Sequence, residues 1–422
     1  MRHDTRNRPD ALRVLLIGVA LVVALLVQSC ATASPSSQPA SARSISNSRF
    51  FGMHAPSLAE SFPAAKVGAL NLTSNNVYWP QLEPTDGTFD FTGLDALVAA
   101  ARLGGAKPLL VLGVTPSFAT STPGAADVDA SVPKMAFWKR YVSRVVGRYG
   151  ASLDYQVWPE PDIIGNWTGT PKQLAQLTVA AAKLIHAKAA SAVLVSPAMV
   201  LRMRYQRKFM DAFYGVKVGG KPVGHFVDAV GLDPYPLEKG TPEDSLTLIN
   251  VARSILRRHH VSAPVWNVEI NYGVVSGGTS PAPHFSASKQ ASFVARTYLL
   301  NAAAQVKRVY WLGWGQFPRM SIRMVGADGT TPTAAGRAYS VVRGWMLGQH
   351  VTSCVRGRTT LVWTCTLVKA GRASRVYWVR SGTAHVRAPK GARHVATTSG
   401  VVSDTQAGKR LKVTTSPIRV YH

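Results

Sequence analysis

A parallel (β/α)8 barrel (a TIM barrel) with a small C-terminal antiparallel β-domain is predicted for this chain by three observations. Eight short β-rich runs alternate with helical stretches between residue 50 and about residue 348. Several runs are almost continuously apolar (PLLVLG, AVLVS, VDAVGL), as strands covered on both faces of a parallel sheet must be. From Gln349 the pattern changes to short alternating runs between Gly-rich turns (TTLVWTCTLV, SRVYWVR, RLKVTTSPIRVYH), which reads as antiparallel strands.

The candidate barrel strands are Phe50–Met53, Leu70–Leu72, Pro108–Gly113, Asp154–Trp158, Ala192–Ser196, Val227–Leu232, Pro264–Val268 and Arg308–Leu312. The clear amphipathic helices between them are Gly93–Leu103, Lys134–Tyr149, Pro171–Lys188, Pro242–His259, Ser286–Ala304 and Thr333–Met346. Thr170 before Pro171, and Thr241 before Pro242, pair a capping hydroxyl with a first-turn proline. Eight βα units over about 300 residues point to a closed barrel rather than an open doubly wound sheet. No GxGxxG or P-loop pattern follows any strand, which removes the commonest nucleotide-binding alternatives.

Four segments are expected: an export signal over residues 1–33, a linker over 34–48, the barrel over 49–348 and a basic β-domain over 349–422. The signal has a basic start (Arg2, Arg6, Arg8, Arg13) and an apolar run, Val14 to Val27, that is short for a membrane span. Val27-Gln28-Ser29-Cys30 resembles a lipobox and would put a lipid on Cys30; Ala31-Thr32-Ala33 is an ordinary small-residue cleavage site; a retained anchor is the third outcome. All three place the folded part outside the cytoplasm, secreted or held at the outer face of the membrane. The next stretch, ATASPSSQPASARS, is a tether with nothing to bury. Cys354 and Cys365 are an even pair in an exported chain and are read as a disulfide closing a hairpin.

The chain has 422 residues and a formal net charge of +27. Its basic residues concentrate locally at 202–208 (RMRYQRK) and 252–260 (RSILRRHH), and residues 349–422 carry 13 Lys/Arg against the single acid Asp404. Such a field favours polyanions, an anionic envelope polymer or an anionic lipid surface, while a generally basic exported protein is the plainer reading. No nucleic-acid module is present, so no nucleic-acid partner is expected. No His/Asp/Glu spacing indicates a metal, and no cofactor is expected. The oligomeric state is not encoded legibly.

Catalytic side chains of this fold sit at the C-terminal ends of strands. The fourth strand ends YQVWPEP, with Glu160, and the seventh ends PVWNVEINYG, with Glu269. Two carboxylates about one mouth are what hydrolysis of a glycosidic bond requires, one as acid and one ionised. Trp79, Tyr78, Trp158, Trp266, Tyr235, Tyr272, Trp311 and Trp314 cluster near strand ends, where they either stack on sugar faces or fill the core. His54 ends the first strand and is read as structural.

These motifs resemble those of clan A retaining glycoside hydrolases, particularly β-xylosidase-like and cellulase-like proteins related to glycoside hydrolase family 39, over residues 50 to about 380. The segment VYWPQLEPTDGTFDFTGLDALVAAA is similar to the family's region after strand two, and AKPLLVLGVTPSFA to its third strand and turn. VWPEPD stands where the family has Trp-Asn-Glu-Pro-Asn, so the resemblance makes Glu160 the general acid/base; WNVEINYG makes Glu269 the nucleophile. VYWLGW matches the eighth strand, placing Trp314 as a floor for the sugar ring. The resemblance implies a carbohydrate substrate and double displacement with retention. Asn71, Trp79, Trp158, Asp233, Tyr235, Trp311 and Trp314 are the candidate substrate contacts.

Three positions depart from the family pattern. Pro159 replaces the Asn that bonds the sugar 2-hydroxyl, Asn71 stands where an Arg supports the nucleophile, and Asp233-Pro234-Tyr235 replaces His-x-Tyr. Either the substrate lacks the usual 2-hydroxyl contact, or the site binds sugar without cleaving it. A non-catalytic carbohydrate-binding barrel, and an envelope adhesion or scaffold protein acting through its basic β-domain, are the competing readings. The sequence does not separate hydrolase from transglycosylase, endo from exo cleavage, or one sugar from another.

Overall fold

The computed structural model describes residues 47–275, 282–315 and 319–422. The export segment with Cys30, and the tether up to residue 46, lie outside the described residues. The barrel strands are β1 (Phe51–His54), β2 (Ala69–Asn71), β3 (Lys107–Leu112), β4 (Asp154–Val157), β5 (Leu194–Val195), β6 (Val230–Leu232), β7 (Val265–Ile270) and β8 (Val309–Trp311). They run in the order β5-β4-β3-β2-β1-β8-β7-β6, every neighbouring pair parallel. Parallel bridges Val195↔Ala229 and Met199↔Leu232 join the two ends and close the ring. Each expected strand is present, displaced or shortened by a few residues.

Helices α1 (Thr92–Leu103), α2 (Met135–Tyr149), α3 (Pro171–Lys188), α4 (Arg204–Tyr214), α5 (Pro242–Arg258), α6 (Ala287–Ala303) and α7 (Ala334–Met346) surround the barrel. The cap of α3 is reciprocal: Gln173 N–H donates to Thr170 Oγ1 at 3.2 Å, and Thr170 N–H donates to Gln173 Oε1 at 2.8 Å. Two connections carry features the sequence left open. The first βα unit has no helix, because residues 55–68 contain Pro56 and Pro63 and form turns instead. The basic run at 202–208 is not merely a charge cluster: it opens α4, whose Gln206, Met210, Phe213 and Tyr214 face inward.

Inside the barrel Ala69, Leu109, Val195, Trp266, Val268 and Tyr310 pack together. At the N-terminal end Arg308 lies 3.8 Å over the Trp266 ring and donates to Asp154 at 2.7 Å. Trp266 is therefore barrel filling, remote from the strand ends where the sequence placed it.

The C-terminal strands are β9 (His350–Arg356), β10 (Val362–Lys369), β11 (Arg372–Val379), β12 (Ala384–Arg387), β13 (His394–Thr397), β14 (Val402–Asp404), β15 (Arg410–Val413) and β16 (Ile418–Tyr421). Six form a sheet in the order β9-β10-β11-β16-β13-β14, and β12 pairs with β15 as a separate ribbon. Cys354 and Cys365 sit directly opposite each other on β9 and β10 and are disulfide-bonded, as expected.

This sheet is fastened to α5 and α6. Glu243 and Arg296 form a buried ion pair, and Trp378 of β11 donates its indole N–H to Glu243 Oε1 at 2.8 Å. Ser292 of α6 donates to the Thr415 carbonyl at 2.5 Å. Removing one partner of such a pair leaves the other charge buried and unanswered. Glu243→Ala is expected to destabilise the fold by about 3 kcal/mol. Urea unfolding with wild-type stability would show that this pair does not hold the sheet. Among the described residues no helix is long and apolar enough to cross a membrane.

Candidate active site

The loop after β4 holds two non-glycine residues in the left-handed region. Trp158 and Glu160, on either side of Pro159, have φ of 50° and 39°. Non-glycine residues rarely take such angles, and a residue before proline is further restricted, so neighbours must hold the loop in place. Trp158 does so through three contacts: its backbone N–H donates to the Leu112 carbonyl at 2.7 Å, its indole N–H to the Asn166 carbonyl at 2.8 Å, and its ring meets Trp167 edge-on at 4.7 Å. Gly113, at φ 152°, leaves room for that ring; a Cβ there would come within 3.1 Å of it. Asp162 ties the loop to the one after β5, accepting the Val200 N–H at 2.9 Å and the Leu201 N–H at 3.2 Å.

Glu269 comes from β7, inside regular strand geometry. Tyr235 donates its phenol O–H to Glu269 Oε1 at 2.7 Å. Burial, then the charge of Glu269, pushes the Tyr235 pKa well up, so the phenol stays a donor. Glu160 and Glu269 line one cavity of about 640 Å³, with Ser74, Tyr78, Gln81, Asp129, Trp158 and Asn166 among its other walls. This is within the usual range for a small-molecule site.

The electrostatics separate the acids. Burial, then the charges of Glu269 and Asp162, raises the Glu160 pKa to about 8, against an opposing pull from Arg202. Burial raises Asp162 to about 6, opposed by the N–H groups it accepts. Asp233 is raised well above the ordinary value by burial first and by Glu269 and Glu160 next. Near neutral pH the mouth thus carries a protonated carboxyl at Glu160 beside a second carboxyl that already accepts a phenol proton. Such a pair can donate a proton to one side of a bond while a carboxylate oxygen approaches the other.

The remaining expected contacts fall into two groups. Trp158 lines the cavity, and Tyr235 and Asp233 stand beside it, the latter buried with Oδ1 unpartnered. Trp79 is not a sugar platform: it is fully buried, stacked on Tyr141 at 4.6 Å, with its N–H donated to Glu83 at 2.7 Å. Asn71 is buried and engaged within the protein, its Oδ1 accepting the Thr73 N–H at 3.0 Å and its amide donating to the Val268 carbonyl at 3.3 Å. It braces the residue before Glu269 rather than facing a ligand. Trp311 and Trp314 are both buried and neither is among the cavity's described walls. Trp314 is held from the backbone, its N–H donating to the His54 carbonyl at 3.0 Å. His54 is buried, its pKa lowered by burial against the opposing charge of Glu269; its Nε2 is 2.8 Å from the Val268 carbonyl and 3.9 Å from Glu269 Oε2. Asp129, Gln81 and Asn166 were not legible as site residues, because loops without a motif deliver them to the wall. Among the described residues no cluster of His, Cys, Asp and Glu could hold a metal ion.

Compared with solved structures, the chain matches a family 39 glycoside hydrolase from the gut symbiont Bacteroides cellulosilyticus WH2 with a TM-score of 0.67 and 16% identity, covering 90% of this chain and 82% of that one. The fold is one that solved glycoside hydrolase structures share. A family 39 β-xylosidase from Caulobacter crescentus matches at TM-score 0.57 and 14% identity, covering 88% of this chain and 96% of its own. A family 30 endoxylanase from Clostridium papyrosolvens C71 matches at 0.59 and 12%, covering 88% and 95%. In this chain the shared fold is the (β/α)8 barrel together with an appended β-sheet. No protein-family model matches the sequence, and no curated protein does.

Proposed function

We propose that this protein is an exported retaining glycosidase acting on a polysaccharide or oligosaccharide. The observation that carries the reading is the pairing of Glu160 and Glu269 on one cavity at the ends of β4 and β7, Glu160 protonated near neutral pH and Glu269 bonded to Tyr235. Glu269 attacks the anomeric carbon while Glu160 gives its proton to the departing glycosidic oxygen. A covalent glycosyl-enzyme forms; Glu160, now ionised, takes a proton from water, which displaces Glu269. Retaining chemistry requires the two carboxyl groups to stand about 5–5.5 Å apart. Pro159 removes the usual donor to the 2-hydroxyl, which fits a sugar whose 2-position is substituted or differently placed.

Tyr235 positions Glu269, so Tyr235→Phe is expected to lower kcat by about tenfold or more, the effect of losing a hydrogen bond to a charged group. An unchanged kcat would remove Tyr235 from the machinery. The function itself is tested by reducing-end release from xylans, β-glucans, arabinans and bacterial envelope polysaccharides. Release by wild type and not by Glu269→Gln supports a glycosidase and names its substrate class. Binding to one polymer without release by either protein would make the barrel a sugar-binding one. Mass analysis of the mature N-terminus distinguishes a lipid on Cys30 from cleavage after Ala33.

A further inference from the structure

Residues 349–422 gather cations with almost no acid to answer them, and the sheet register decides where they stand. Lys369 and Arg372 are directly opposite each other across the β10–β11 turn, both exposed. Like charges in that relation repel, and nothing in the fold requires them there. Arg419 pairs with Val376 in the β11–β16 ladder, so Arg372, Ser374, Arg419 and Tyr421 share one face of the sheet. That face forms a groove of about 450 Å³ whose walls also include His422 and no Asp or Glu side chain.

Arg419 is the built part of this groove. Its guanidinium lies 4.9 Å from the Tyr421 ring centroid, and its Nε–H donates to Ser374 Oγ at 3.1 Å. One edge of the fork is thereby fixed. Among the described residues no carboxylate pairs with Arg419, Lys369 or Arg372, and Asp404, the segment's only acidic side chain, is engaged by His394 at 3.1 Å. Burial pulls the Arg419 pKa down, so its charge is held at a cost that a bound anion would offset.

We propose that this groove binds the carboxylate groups of an acidic polysaccharide, with Arg419 as the fixed anchor and Lys369 and Arg372 as the flanking cations. Cross-strand neighbours stand about 5 Å apart and alternate residues on a strand about 7 Å apart, a spacing that suits a polymer charged at successive sugars. Arg419 lies within the groove and the exposed Lys369 and Arg372 at its edge, which favours a chain laid along the groove over the flat surface of a bilayer. This site lies outside the barrel mouth and does not rest on the glycosidase reading.

The test is titration calorimetry on the full chain carrying Glu269→Gln, so that turnover does not deplete the ligand. The probe is oligogalacturonate, with neutral xylo-oligosaccharide as control. Wild-type groove residues should bind the acidic probe, more weakly as salt rises. The exposed double change Lys369→Glu/Arg372→Glu should weaken binding by about tenfold or more with an unaltered melting temperature. The ribbon supplies the control: Arg387 and Arg410 are an equally exposed, directly opposed pair on β12 and β15. Arg387→Glu/Arg410→Glu changes net charge by the same amount and should alter affinity by about twofold or less. Equal losses in both variants would make the effect one of overall charge and overturn the proposal. Absence of binding would do the same, as would binding only to vesicles containing anionic phospholipid.

Discussion

Glu269→Gln is expected to lower turnover by on the order of 10⁴-fold, the scale seen when a nucleophile or its activating partner is removed. The amide keeps the size of the side chain and can still accept the Tyr235 phenol proton at the position where Oε1 stands 2.7 Å away. What it loses is the charge and nucleophilicity of the carboxylate oxygen. Polymer affinity should therefore persist, and the melting temperature should shift by less than about 2 °C, as for an isosteric change outside the apolar core. A variant shortened to Glu269→Gly separates chemistry from structure further. Azide can enter the space left and attack the anomeric carbon of an activated aryl β-glycoside, forming a C–N bond as the aryl oxygen leaves. The product is the glycosyl azide of inverted configuration. Its formation would identify Glu269 as the group that attacks carbon; full activity in Glu269→Gln would sink that assignment.

Much of this arrangement is written locally in the chain, and what is not follows a physical pattern. The barrel strands are legible because a parallel strand covered on both faces has to be apolar throughout, as in PLLVLG. Glu160 and Glu269 are legible because the fold confines chemistry to strand ends. Helix α4 was hidden because RYQRKFMDAFY carries its cations on the solvent side and only four inward residues reveal the period. The first connection offers no helical pattern, and its two prolines agree with the turns found there. Trp79 looks like a site residue in sequence, since nothing nearby shows that Tyr141 of α2 will stack on it or that Glu83 will take its N–H. Asn71 and Asp162 both work through backbone groups of segments distant in sequence, and backbone partners leave no mark in a sequence. The charges that act on Glu160 likewise belong to the assembled mouth: Asp162 follows β4, Arg202 follows β5 and Glu269 stands on β7.

That lifted pKa has two separable consequences, both expected to be large. In catalysis, Glu160→Ala should lower the rate on substrates with poor leaving groups by on the order of 10³-fold, the range for loss of a general acid. A dinitrophenyl glycoside, whose phenolate leaves without a proton, should lose far less in the first step. Wild-type activity should fall as pH rises through about 8, where Glu160 gives up its proton; that alkaline limb should vanish in Glu160→Ala on the activated substrate. In stability, the sign follows from proton binding. The carboxyl ionises near 4.5 when the chain is unfolded and near 8 when folded. Between those values the unfolded chain binds fewer protons, so rising pH favours unfolding. The contribution of the protonated group is complete below 4.5 and is lost as pH passes through about 8. Glu160→Gln keeps a neutral side chain at every pH, so its melting temperature should gain on wild type from pH 4.5 upward and the gap should level off above about 8. A gap that stays flat across this range would mean Glu160 is ionised in the folded protein, and the acid role would then have to pass to another group of the mouth, such as Asp233, whose pKa burial also raises.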